Sequence, residues 1–132
     1  QSIDRANALD MLSFVCADTI EEARAVAELH PDIINPEPSE LIGSGNSSDM
    51  TFVRETIRAI KSIDPHIMVE QAAGITTAQQ IYDFIMAGSE AAGSASGILQ
   101  SPHPFALLDE MISAVAKAKH DLLKLNASKG GQ

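Results

Sequence analysis

The chain has 132 residues, 45% hydrophobic and 20% charged, enough for one ordinary globular domain that buries roughly two thirds of its unfolded surface. With 18 acidic against 9 basic side chains the net charge is −9, which repels polyanions and excludes nucleic acid as a partner, so any anionic ligand must be held locally by backbone N–H groups and helix ends. Cys16 is the single cysteine, which excludes an intrachain disulfide and a cysteine-based zinc site and points to a reducing, cytoplasmic home; no apolar run approaches the roughly 20 residues of a membrane span, and no signal-peptide pattern is visible.

Gln1 stands where a Met would open a reading frame, so the expectation is a processed or truncated chain, and residues 2–11 read as the end of a preceding helix. Leu12-Ser13-Phe14-Val15-Cys16 predicts a first strand, after which Thr19-Ile20-Glu21-Glu22 forms a capping box for a helix ending near Leu29, before Pro31. Ile33-Ile34-Asn35 predicts the second strand, and Ser48 or Asp49 caps a helix whose apolar face is Val53, Ile57 and Ile60. Ile67-Met68-Val69 is the third strand, followed by a turn at Gln71-Ala72-Ala73-Gly74 and a helix from Thr76 or Thr77 with Ile81, Phe84 and Ile85 inward. The short run Ala91-Ala92-Gly93-Ser94 is the last strand. Ala95-Ser96-Gly97 then leads to a long helix carrying Leu108, Met111, Ile112, Val115 and Leu122. Strands alternating with helices are the signature of parallel βα units, here four over residues 1–125, with 126–132 a flexible polar tail.

The most informative segment runs from Asn35 to Asn46. Pro36 and Pro38 fix φ on both sides of Glu37 and hold it out of helix, so its carboxylate projects from a rigid position. Gly43 and Gly45 free the loop that follows, and a fixed acid beside a mobile lid, residues 38–48, reads as a catalytic base. The loops after the second, third and fourth strands all consist of small residues and all lead toward a helix start. That arrangement presents unpaired N–H groups and a positive dipole end to a phosphate, and three such loops at one end of a parallel sheet can share a site.

Four stretches in order then carry a resemblance: Val15-Cys16-Ala17-Asp18-Thr19 with Glu21-Glu22-Ala23; Glu37-Pro38-Ser39-Glu40-Leu41-Ile42-Gly43-Ser44-Gly45; Ala72-Ala73-Gly74-Ile75; and Ala95-Ser96-Gly97. From about residue 12 to residue 118 the chain resembles the second half of a triosephosphate isomerase of the archaeal type. The resemblance implies an α/β fold, the C-terminal half (four βα units, strands 5–8) of a TIM (β/α)8 barrel. It implies that Glu37 is the base and that Ile42, Gly74, Ala95 and Ser96 contact the substrate phosphate. The implied reaction interconverts glyceraldehyde 3-phosphate and dihydroxyacetone phosphate in glycolysis and gluconeogenesis, with no cofactor and no metal, in a cytoplasmic homo-oligomer.

The sequence departs from that family at Ala72, where Gly is usual, at Glu70-Gln71, where apolar or Cys residues are common, and at Pro36, which replaces an aromatic. A four-carbon sugar phosphate therefore stays open as substrate. The family's lysine and electrophilic histidine lie before the region present here, so the isolated chain is expected to be nearly inactive. Open sheet edges call for an N-terminal half-barrel or a second copy as partner. A non-catalytic phosphate-binding half-barrel and a structural subunit are the alternatives.

Other residues have plainer readings. Glu40 is a rival acid that anchors the lid, and His30 meets a helix C-terminal dipole. His66, His103 and His120 share no ligand spacing. Cys16 is read as a buried small hydrophobe and the methionines as core. Glu70 is expected near the mouth of the third strand, pairing with the other half or altering specificity.

Overall fold

The computed structural model describes residues 1–129. Its helices begin where side-chain oxygens satisfy free N–H groups. Thr19 accepts the Glu22 N–H at 3.1 Å to open α2 (Ile20–Ala27), and Asp49 accepts from Thr51 and Phe52 at 2.7 and 2.9 Å to open α3 (Met50–Ile63). A full capping box between Thr77 and Gln80 opens α4 (Ala78–Met86). The remaining helices are α1 (Ser2–Asn7), α5 (Ser96–Leu99) and α6 (Pro104–Lys129), with a 3₁₀ turn at Ser39–Leu41. No helix among the described residues is long and apolar enough to cross a membrane.

Four strands, β1 (Phe14–Ala17), β2 (Ile33–Pro36), β3 (Met68–Gln71) and β4 (Ala91–Ala92), form one parallel sheet in the order β1-β2-β3-β4. A doubly wound sheet reverses its order at a switch point, whereas strictly sequential neighbours joined through helices are a segment of a (β/α)8 barrel. The fold is therefore half of such a barrel, four βα units, as the sequence implies. The register pairs Phe14 with Ile33, Cys16 with Asn35, Ala17 with Pro36, Ile34 with Val69, and Glu70 with Ala91.

Period-two alternation sends one set of strand residues toward the helices and the other toward the barrel interior. Ala17, Ile34 and Val69 join Ala23, Ala27 and Ile60 in a core between sheet, α2 and α3. A second core gathers Val53, Ile75, Phe84, Ile85, Met111 and Ala118 among α3, α4 and α6. Thr56 and Gln71, both fully buried, link α3 to β3, Gln71 Nε2 donating to Thr56 Oγ1 at 3.3 Å.

The inner face has no such cover, and several expectations are corrected there. Cys16 is exposed instead of buried, because its strand position points it inward, where half a barrel presents open space. Phe14 and Met68 are exposed on the same face, and Met11 is exposed before β1, so not every methionine is core. On α6, Met111 is buried but Leu108 and Ile112 are largely exposed: the apolar stripe is wider than the surface α4 can cover. The expected single long helix is interrupted after Leu99, and Pro104 restarts it at a first-turn position that needs no N–H. β1 begins two residues later than its apolar run, since pairing with Ile33 starts at Phe14, and β4 is limited to two residues. Asn126 to Lys129 continue α6 where a tail was expected; residues 130–132 lie outside the described residues.

Candidate active site

Asn35 on β2, Glu37 just past it and Glu70 on β3 hold inward positions toward the C-terminal ends of their strands. With Phe14, Ala72 and Gly93 these line a cavity of about 320 Å³ at the C-terminal end of the strands. Ile42, Gly74, Ala95 and Ser96 border the same cavity. All five residues singled out from the sequence thus come together, contributed by the loops after β2, β3 and β4. Glu40, the rival acid, is exposed and borders a separate depression with Pro38, Leu41 and Phe52.

Glu37 is fixed through its backbone first. Its N–H donates to Ala17 O at 2.8 Å, and Pro36 and Pro38 on either side are buried. The lid that follows is tied at its base, because the Asp18 carboxylate accepts the Ser39 N–H and, at 3.3 Å, the Ser39 hydroxyl. The side chain is held by Asn35, whose Nδ2 donates to Glu37 Oε2 at 3.1 Å. A carboxylate only accepts, so this contact fixes which end of the Asn35 amide faces Glu37. Asn35 is 4% exposed and its Oδ1 has no partner among the described residues.

Close backbone approaches join the three loops into one rim. Gly74 has φ +63°, and a Cβ there would overlap the Asn46 carbonyl of the lid. A Cβ on Gly97 would overlap the Ile75 carbonyl, to which the Ser94 hydroxyl donates at 2.7 Å. Gln80 Nε2 donates to Ser47 Oγ at 3.0 Å, so the cap of α4 also carries the end of the lid. These glycines serve contact as well as conformation.

Glu70 is the second acid of the cavity. Its carboxyl is half-buried and receives no hydrogen bond among the described residues. Loss of water raises its pKa above the ordinary carboxylate value, and the negative charge of Glu37 raises it further. A Cβ on Gly93, just after β4, would lie 2.7 Å from Glu70 Oε1, so the end of the Glu70 side chain lies directly over Gly93.

Asn35 and Asp18 had no assigned role in the sequence reading, whereas Glu70 was expected at the mouth of the third strand, where the structure has it. Part of the signal was present: Asn35 and Glu70 are polar residues that follow apolar pairs, Ile33-Ile34 and Met68-Val69, in their strands. His30 stands apart from the cavity, with Nδ1 2.8 Å from Asp64 Oδ2, where it joins the α2–β2 turn to the end of α3. Cys16 Sγ lies 3.9 Å from Asn35 Nδ2, a weak contact on the open face.

Known proteins resemble this chain in sequence and in fold. The chain is 35% identical over 117 residues to a triosephosphate isomerase of Methanobacterium bryantii, a match covering 86% of this chain and 52% of that protein. It is 34% identical over 107 residues to the triosephosphate isomerase of Methanothermus fervidus, covering 79% of this chain and 48% of that protein. The chain spans about half the length of the curated relatives it matches, and is related to them over that half. No protein-family model matches it. Among solved structures, the Amycolatopsis orientalis BexX/CysO complex superposes with a TM-score of 0.68 at 20% identity, over 97% of this chain and 48% of that one. A native KDPGal structure superposes at 0.58 and 21% identity over 92% of this chain and 54% of that one. At these identities the structural likeness speaks for the fold alone.

Proposed function

We propose that this chain is the base-bearing and phosphate-binding half of a sugar-phosphate aldose–ketose isomerase acting on glyceraldehyde 3-phosphate and dihydroxyacetone phosphate, a reaction of glycolysis and gluconeogenesis in the cytoplasm. The observation that carries this reading is that Glu37 shares one cavity with the Gly74 turn and the Ala95–Ser96 helix start. The similarity to triosephosphate isomerases extends across these same segments. Glu37 removes a proton from the carbon beside the substrate carbonyl and returns it to the neighbouring carbon. Ile42 in the lid, Gly74, Ala95 and Ser96 take the phosphate, and closure of the lid excludes water from the enediolate. Charge on that enediolate oxygen needs donors as well as a base, often the largest single contribution to rate. An N-terminal half-barrel, in the same or another chain, supplies the lysine and histidine that the resemblance assigns to those donors.

The test joins this chain to the N-terminal half of a related triosephosphate isomerase and follows the conversion of glyceraldehyde 3-phosphate. Activity is expected only with both halves, and Glu37→Ala is expected to lower turnover by about two to four orders of magnitude while inorganic phosphate still binds. Phosphate binding with no turnover in the joined protein identifies a binding half-barrel instead. Unchanged turnover in Glu37→Ala removes the assignment of the base.

A further inference from the structure

We propose that Glu70 is a second catalytic carboxyl of this cavity, donating a proton to the substrate oxygen while Glu37 works on carbon. The inference rests on the isomerase reading above and adds to it a donor from this half of the barrel. Three observations carry it. Glu70 lies on the inward side of β3 and lines the same cavity as Glu37, one strand away. Its carboxyl has no hydrogen-bond partner among the described residues, although it is half-buried and therefore partly stripped of water. Its carboxyl extends over Gly93, just past the neighbouring strand β4, where a Cβ would lie 2.7 Å from Oε1, so the acid reaches the part of the cavity that Gly93 lines.

Two carboxyls that line one cavity repel each other as anions. Desolvation and the Glu37 charge both favour the protonated form of Glu70. The groups facing it limit the sources of this effect: Glu37 on the β2 side is titratable, whereas Ala91 on β4, Gly93 just past it and Ala72 beyond β3 are not. A protonated carboxyl next to a carboxylate base is a matched pair for enolisation. Glu37 takes the proton as the C–H bond breaks, the bonding pair forms the C=C bond, the carbonyl π pair moves to oxygen, and Glu70 O–H protonates that oxygen. In the return step the Glu70 carboxylate takes the proton of the neighbouring hydroxyl, a new C=O forms, and Glu37 protonates the other carbon. Both acids end as they began.

The experiment uses the whole chain with two probes, inorganic phosphate and 2-phosphoglycolate, whose carboxylate stands for the enediolate oxygens. Binding is measured by calorimetry from acid to neutral pH for the natural sequence, Glu70→Gln and Glu70→Leu. The preference for 2-phosphoglycolate over phosphate should fall as pH rises through the Glu70 titration in the natural sequence. In Glu70→Gln, which keeps a neutral donor, it should persist across the range. In Glu70→Leu it should be about tenfold weaker in acid, with phosphate binding unchanged. Carboxyl carbon resonances provide a second readout: the Glu70 midpoint should move down in Glu37→Gln. An equal preference in all three proteins, with phosphate still bound, overturns the role of Glu70 alone. Failure of the natural sequence to bind either probe overturns the isomerase reading and this inference with it.

Discussion

The Asn35 amide reaches two residues along its own chain and donates to Glu37 Oε2 at 3.1 Å, while its other end, Oδ1, is buried without a partner among the described residues. One carboxylate oxygen is thus held against the β2 wall and the other is left for the cavity. In the joined barrel, Asn35→Ala is expected to lower kcat roughly tenfold or more, the worth of one hydrogen bond to a charged group, with little change in KM. Asn35→Asp, which sets a carboxylate against Glu37, should be the more damaging at neutral pH. Steady-state kinetics of both variants check this, and an unchanged kcat in both would show that Glu37 is positioned by its prolines alone.

Gly74 touches the lid at the Asn46 carbonyl and has a positive φ, so Gly74→Ala combines backbone strain with overlap. A cost of about 1–3 kcal/mol is expected. Denaturant midpoints report the stability loss, and limited proteolysis within residues 42–48 reports the displaced lid. Unchanged cleavage together with unchanged stability would mean that the two loops do not meet in solution.

Acid sensitivity follows from four aspartates, among them Asp121, which the Lys117 ammonium and then the Tyr82 hydroxyl hold below the ordinary value. Asp32 is held below the ordinary carboxylate value of 3.8 by the Ser13 N–H first and then by the Ser13 hydroxyl. Asp49 is lowered by the N–H groups of Phe52 and Thr51, and Asp64 by the His66 N–H and then His30. A lowered folded pKa means that the unfolded chain binds protons first, so this stabilisation is complete above about pH 4 and is lost as pH falls through the folded values. Asp32→Asn should flatten that acid limb in urea midpoints measured from pH 7 to pH 2. Glu70 has the opposite sign: its raised pKa destabilises the fold above its titration, so Glu70→Gln should be the more stable protein at pH 7 and lose the advantage in acid. A Glu70→Gln midpoint equal to that of the natural sequence at every pH would count against the buried, charge-crowded setting of Glu70.

Phe84, 2% exposed, fills the core between α4 and α6. Phe84→Ala is expected to cost about 3–5 kcal/mol, read from chemical denaturation. A loss under 1 kcal/mol would show that α6 does not depend on this contact.

The inner face, with Phe14 and Met68 exposed and β1 and β4 unpaired on their outer edges among the described residues, is built to be covered. Sedimentation of the chain is expected to show self-association, or a complex when an N-terminal half-barrel is supplied. Phe14→Asp should weaken either form. A stable monomer with cooperative unfolding, indifferent to the other half, would contradict the partner proposal.

Much of this organisation is legible in the linear order of residues. Four apolar runs separated by helical patterns give four βα units, since strand and helix periods are properties of local spacing. The proline pair around Glu37 and the small-residue turns at Ala72–Gly74 and Ala95–Gly97 are local as well, which is why the residues expected to share a rim do share one cavity. Capping at Thr19, Asp49 and Thr77 likewise needs only neighbours a few positions away.

Strand position and register settled the remainder. A residue inside an apolar run is inward or outward according to pairing, and one step reverses the assignment. Pairing of Cys16 with Asn35 and of Ile34 with Val69 sent Ile34 and Val69 to the helices and Cys16, Asn35 and Glu70 to the interior. Cys16 is therefore exposed where composition alone favours burial, and Glu70, far from Glu37 in sequence, lines the same cavity as Glu37 and Asn35. Contacts across strands depend on long-range closure, which no local pattern encodes, and that closure is what turned a proline-braced acid into a site with two carboxyls.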